Sequence, residues 1–224
     1  MVERHGTYTT TVGSQTIDLP LVRIGDDLVI ALLISVDHGV AFTECAAREL
    51  AAQLSDLDVE IVASVATMGI PLGIEVSRAL GLDDYVIFHK TPKIHLDDAI
   101  TEPVKSITTG GSQKLLFDRE RVGVARGRRV ALVDDVISTG ASVKAALRLL
   151  RGVGARPVAV AALVTEAMAW RAALGEDAAL VRSLGSIPLF RYGPDGSLIE
   201  DWEGNAGEVG AAQRGAPDDT RGEA

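Results

Sequence analysis

Between residues 59 and 165, short apolar runs alternate with longer stretches of helical period. The runs at 59–65, 85–89, 129–133 and 157–165 are rich in Val, Ile, Leu and Ala, with few polar interruptions. That is the pattern of strands buried on both faces. Pro71 and Gly81 punctuate a helix over 71–81, and a second helix is predicted over 142–152. Strand–helix–strand alternation predicts an α/β fold, with a central, mostly parallel sheet flanked by helices.

The flanks carry weaker signals. Residues 7–12 and 16–24 are Thr/Val/Ile-rich and separated by Gly13-Ser14-Gln15, which predicts a hairpin. Residues 28–36 predict a buried strand after Gly25-Asp26-Asp27. Residues 42–54 have helical period, with Cys45, Leu50 and Leu54 on the inward face. Residues 96–113 are polar and contain Gly110-Gly111; they predict a long loop or weak hairpin, returning through a strand at 114–118. Residues 167–174 predict a helix, 179–181 and 187–191 short strands, and 192–196 a turn. Residues 203–224, rich in Gly, Ala, Asp, Glu and Pro, predict a disordered tail behind a single domain over 1–202.

The chemistry follows the run at 129–133. Asp134 and Asp135 stand at the carboxyl end of the predicted strand, where open α/β sheets bind ligands. Ser138-Thr139-Gly140-Ala141-Ser142 then leads into a helix. A helix N-terminus offers unpaired N–H groups and a positive dipole end, which suits a phosphate. Gly140 and Ala141 let the backbone approach the anion, and Ser138, Thr139 and Ser142 supply hydroxyls. Two adjacent carboxylates suit the vicinal hydroxyls of a ribose, alone or with a divalent cation. A second loop of similar kind, Ala66-Thr67-Met68-Gly69, joins the run at 59–65 to its helix. No Gly-Lys-Ser/Thr and no Gly-x-Gly-x-x-Gly is present, so neither a Walker loop nor a dinucleotide fingerprint is read.

Val133-Asp134-Asp135-Val136-Ile137-Ser138-Thr139-Gly140-Ala141-Ser142 closely resembles the phosphoribosyl-pyrophosphate (PRPP) signature of type I phosphoribosyltransferases. The broader likeness runs over about residues 19–191. The resemblance implies a core at about 28–166 and a small hood over the base, built from 7–27 and 187–202. It implies that Asp134 and Asp135 hold the ribose and, directly or through water, Mg2+. Ser138, Thr139, Gly140, Ala141 and Ser142 would hold the 5′-phosphate. Thr67, Met68, Gly69, Lys90 and Lys93 would hold the pyrophosphate, the loop at 66–69 through its backbone. Val136 and Ile137 would floor the base. Catalysis would rest on Asp134, Asp135 and Lys90. Thr108, Thr109, Ser112, Gln113 and Lys114 are candidates for a lid over the reacting centre. Relatives of this kind usually pair as homodimers.

Charge and cysteine content narrow the setting. The formal net charge of −9 argues against a nucleic-acid or membrane-surface partner, because both reward clustered cations. An anionic substrate therefore requires local cations and backbone amides. The single cysteine, Cys45, excludes an internal disulfide framework and fits a reducing compartment. No signal peptide or spanning run is read, so a cytoplasmic place is expected. His89 and His95 lack partners at metal-ligand spacing.

The function expected is phosphoribosyl transfer from PRPP to a nucleobase in nucleotide salvage. Enzymes for 6-oxopurines often carry Asp where this chain has Ser138, so an adenine-like purine is favoured. The Leu-Glu-Tyr-Gly lid of adenine enzymes is not found here. Lys90-x-x-Lys93-x-His95 is similar to orotate enzymes, which stay an alternative. A PRPP-sensing regulator that kept the pocket and lost the chemistry is the second. Purine-repressor relatives place a winged helix ahead of this domain, and a hairpin that begins at Thr7 leaves no room for one.

Overall fold

The computed structural model describes residues 4–25, 27–104 and 113–206. Asp26, the lid candidates Thr108, Thr109 and Ser112, and the expected tail beyond residue 206 lie outside them.

The chain opens with β1 (Arg4–Val12), β2 (Gln15–Arg23) and β3 (Leu28–Ala31), then α1 (Gly39–Gln53). There follow β4 (Ile61–Val65), α2 (Gly69–Ala79), β5 (Tyr85–His89), β6 (Ile100–Val104) and β7 (Gln113–Phe117). A short α3 (Val122–Ala125) precedes β8 (Arg129–Ile137), α4 (Ala141–Gly152), β9 (Arg156–Glu166) and α5 (Ala169–Leu174). The chain then adds β10 (Val181–Ile187), β11 (Leu189–Tyr192) and β12 (Leu198–Asp201).

Among the described residues, seven strands form the central sheet in the order β10-β9-β8-β4-β5-β7-β6. The pairs from β10 to β5 are parallel, and β7 runs antiparallel to both β5 and β6. The apolar runs explain the layering. Val130 and Leu132 of β8 point to one face, where they pack with Leu147 and Leu150 of α4. Ala131 and Val133 point to the other, against Phe42 and Leu50 of α1 and Leu72 of α2. Period-two alternation thus serves two cores, and no polar stripe is needed.

A second sheet, β1-β2-β3-β11-β12, is antiparallel throughout and joins the two ends of the described chain. It takes in β3, which the sequence pattern assigned to the core. The run at 28–36 is apolar enough for a buried strand, but the strand itself is Leu28–Ala31, and Ser35–His38 is a turn of 3-10 helix. The reverse holds at residues 179–181. That stretch ends a 3-10 helix, Gly175–Leu180, and the strand beside β9 is β10 instead. The polar stretch at 96–113 contains a real hairpin arm, since β6 pairs with β7.

Cys45 departs from its expected place. It is half-buried, not core, while Leu50 and Leu54 are fully buried. The reason is a polar contact: the Ser14 hydroxyl and Glu49 carboxylate meet beside it, with Cys45 Sγ 3.8 Å from Ser14 Oγ. The hairpin turn docks on α1 there. The hairpin also docks on the central sheet, where the Gly13 N–H donates to the Leu184 carbonyl at 2.9 Å. Among the described helices, none is long and apolar enough to cross a membrane.

At Gly185 the two sheets approach closely. A Cβ there would lie 2.3 Å from the Thr11 carbonyl oxygen, and backbone cannot rotate aside. Gly185→Ala is expected to destabilise the fold by ~1–3 kcal/mol, read as a lower urea midpoint at unchanged slope. An unchanged midpoint would show that the hairpin can lift away at no cost.

Candidate functional site

The central sheet has a switch point. From β4 the chain moves one way to β5, then returns to the other side of β4 as β8 and on to β9. Open α/β sheets bind ligands at the carboxyl ends of strands beside such a point. Here a second feature opens the crevice. β4 pairs with β8 only as far as Ser64↔Val133, whereas β9 stays paired with β8 to Ile137↔Thr165. Residues 134–137 are therefore bonded on one side, and β4 gives way on the other to the loop at 66–68.

Between them lies a cavity of about 230 Å3, lined by residues 65–68, Lys90 and residues 134–143. The sequence-predicted strand ended at residue 133; the real one carries the acid pair within it, to Ile137. Asp134 is 8% exposed, and its Oδ1 accepts the Asp135 N–H at 3.1 Å. Burial pushes its carboxyl up to about 8; Asp135 adds to the rise and Lys90 opposes it. Among the described residues lining the cavity, Lys90 is the one cation.

The turn into α4 is built by Gly140, its N-cap, at φ 76°. Any other residue there would be strained, and a Cβ would sit 3.2 Å from the Trp170 carbonyl oxygen. The Ala141 N–H reaches Thr139 Oγ1 at 3.4 Å, so the loop folds onto the helix start. Thr139, Ala141 and Ser142 line the cavity with Gly140. The start of a twelve-residue helix, with the positive end of its dipole, faces it.

The other predicted residues divide. Thr67 and Met68 line the cavity, behind a cis peptide between Ala66 and Thr67. Gly69 sits behind the lining instead. A Cβ on it would lie 2.6 Å from Ser64 Oγ and 2.8 Å from Asp134 Oδ1, so only glycine lets α2 start this close to the acid. Lys93 is exposed and outside the lining. Val136 is half-buried at the cavity, whereas Ile137 is 1% exposed, in the core cluster with Val143 and Leu147. Of that pair, Val136 is the one with surface to offer a base. Gln113 and Lys114 are exposed residues of β7 and do not line the cavity.

Two polar side chains escaped the sequence reading. Ser64, 1% exposed, has a hydroxyl without a hydrogen-bond partner among the described residues, close behind Asp134. Glu166 ends β9, is buried, and accepts a short hydrogen bond from the Ser138 hydroxyl. Its carboxyl lies above the usual range because it is buried, an effect the Ser138 bond partly offsets. A signal for Glu166 existed: it closes a buried parallel strand at its carboxyl end, as Asp134 follows the run at 129–133. Ser64 had none, being a small residue inside an apolar run. For a metal, Asp134 and Asp135 are the available carboxylates; no group of three or more His, Cys, Asp or Glu side chains occurs among the described residues.

Asp134→Asn tests the burial of the acid. Without ligand or metal, folded Asp134 holds its proton to about pH 8, against 3.8 for a free carboxyl. Folding therefore takes up a proton in that window, and wild-type stability falls as pH rises through it, by up to ~1.4 kcal/mol per unit. The Asn variant is expected to gain on wild type steadily from pH 4 to pH 8 in urea unfolding; parallel pH profiles would refute the shift.

A family model described as the phosphoribosyl transferase domain matches residues 42–182. A hypoxanthine/guanine phosphoribosyltransferase of Methanocella paludicola is 33% identical over 101 residues, covering 45% of this chain and 49% of that protein. A transcriptional regulator, GfcR 1, of Methanosarcina barkeri is 34% identical over 110 residues, covering 49% of this chain and 47% of its own. The chain thus spans about half the length of these relatives. Among solved structures, adenine phosphoribosyltransferase of Saccharomyces cerevisiae aligns with a TM-score of 0.58 at 14% identity, covering 82% of this chain and 93% of that one. The adenine enzyme of Rhodothermus marinus gives 0.56 at 18%, covering 81% and 94%. At such identity the likeness speaks for the fold. The family model covers well over half of the chain, and with the acid pair and phosphate-type cradle at the switch point, this places the chain in the phosphoribosyltransferase family.

Proposed function

We propose that the chain transfers the phosphoribosyl group of PRPP to a nucleobase, a purine, releasing pyrophosphate. The observation that carries this is one cavity holding two adjacent carboxylates and, five residues on, the glycine-capped start of α4. Asp134 and Asp135 accept from the ribose hydroxyls. The amides at 140–142, with Thr139 and Ser142, take the 5′-phosphate. Lys90 and the backbone at 67–68 meet the pyrophosphate, and Val136 gives the base an apolar wall. Purine as acceptor is supported by the relatives named as hypoxanthine/guanine enzymes. Ser138, in place of the Asp common in 6-oxopurine enzymes, leans the choice toward adenine.

The chemistry asks for no protein nucleophile. As pyrophosphate departs, C1 of the ribose gains positive charge, and the carboxylates below it lower that charge's energy. Fixed amides and Lys90 hold the leaving group in line. The donor set fits Mg2+, which binds through one or two carboxylates plus substrate phosphates rather than in an all-protein cage. Asp134 or Asp135 would hold it, and when bound it neutralises the pyrophosphate. Burial and the neighbouring Asp135 drive Asp134 to keep its proton, so a cation held by the pair would meet two acids that otherwise oppose each other's charge.

The GfcR relative favours a second reading, in which the same pocket senses PRPP in a regulator. A pyrophosphate-release screen over adenine, guanine, hypoxanthine, xanthine, uracil and orotate decides between them. Release with a purine is expected; PRPP binding with no release from any base would leave the sensing role. In either case Asp135→Asn is expected to weaken PRPP binding about ten- to hundredfold by calorimetry, the worth of hydrogen bonds to a charged group. Unchanged affinity would remove the acid pair from the site.

A further inference from the structure

The loop at 66–68 is tied down through its carbonyl groups, and one tie comes from far along the chain. The Thr67 carbonyl accepts the Ile70 N–H at 3.2 Å, a turn into α2. The Met68 carbonyl accepts the Ser35 hydroxyl, also at 3.2 Å. Ser35 is 2% exposed, stands in the turn before α1 and does not line the cavity. The 67–68 and 68–69 peptides are trans, so in each the C=O and N–H point opposite ways. A Met68 carbonyl drawn to Ser35, outside the cavity wall, therefore turns the Gly69 N–H the other way. The bond from Ile70 does the same for the Met68 N–H. Neither N–H has a hydrogen-bond acceptor among the described residues. Nor does a side chain cap α2, whose N-cap is Met68.

We infer that Ser35 is a positioning residue for the pyrophosphate end of PRPP: it holds the 68–69 peptide so that the amides of Met68 and Gly69 meet that anion, and it does so without touching it. This rests on the reading of the cavity as a PRPP site. Thr67 and Met68 are exposed, and a loop open to water would otherwise have to be ordered by the anion itself. The buried Ser35 hydroxyl places that ordering in folding rather than in binding. A residue 33 positions before Met68 thereby joins the site.

Pyrophosphate, PRPP and ribose 5-phosphate, each with Mg2+, are to be titrated by calorimetry into the full chain as wild type, Ser35→Ala and Ser77→Ala. Ser77 is the matched control: it too is buried, and its hydroxyl donates to the Gly73 carbonyl at 2.8 Å, further along α2. Ser35→Ala is expected to weaken pyrophosphate and PRPP about threefold to tenfold, the worth of one neutral hydrogen bond, and to leave ribose 5-phosphate unchanged. Ser77→Ala should leave all three unchanged. An unchanged pyrophosphate affinity in Ser35→Ala would overturn the inference. An equal fall for ribose 5-phosphate, or the same fall in Ser77→Ala, would reduce Ser35 to a hydroxyl that merely supports the fold. Should Ser35→Ala fail to fold, Ser35→Cys, close in size and a weaker donor, gives the same comparison. Wild type that binds neither pyrophosphate nor PRPP overturns the reading of the cavity, and this inference with it; wild type that binds both, with Ser35→Ala its equal, overturns the inference alone.

Discussion

A carboxylate withdrawn from water organises this molecule. Asp134 is nearly buried, at the point where β8 outruns β4. Charge is costly there, and Asp135 beside it makes it costlier. What surrounds the acid follows from that cost. Gly69 lacks a side chain so that α2 can begin against it, Lys90 is close enough to oppose the rise, and the open flank toward residues 66–68 leaves room for a ligand. A carboxyl so placed weakens the fold at neutral pH, where burial and Asp135 oppose its charge.

The cavity also resolves a contradiction of charge. A chain with a net charge of −9 would repel a polyanion at long range. The structure answers with short-range, fixed donors: the start of α4, a left-handed glycine before it, and Lys90. Backbone amides carry no net charge, so they leave the acidic surface as it is. The acidic groups sort by depth and direction. Asp134 and Asp135 stand on the strand before the cradle, and Glu166 lies behind Ser138 on the neighbouring strand.

Much of this was legible in the chain. The apolar runs at 59–65, 85–89, 129–133 and 157–165 became β4, β5, β8 and β9 with small changes of boundary, because a strand buried on both faces has no polar residue to confuse it. The cradle was legible because its physics is local: a strand end, a glycine and a helix start lie within a dozen residues. The weaker strands were misplaced. Leu28–Ala31 is as apolar as a core strand and sits in the second sheet, since period says that a strand is buried but not against which partner. Cys45 has the right period for the core but meets a hairpin turn 31 residues earlier in the chain.

Sequence alone determined the parallel core, the acid pair and the glycine-led helix start after it, all set by residues near one another along the backbone. Tertiary structure decided the rest. It ended β4 early enough to open a crevice beside residues 134–137, and it set Glu166 behind a serine 28 residues away. It also left Lys93 outside the cavity and buried Ile137. The reason is common to these cases: how far two strands stay paired, and which side chains meet across them, depends on packing between distant segments, and no local pattern encodes that.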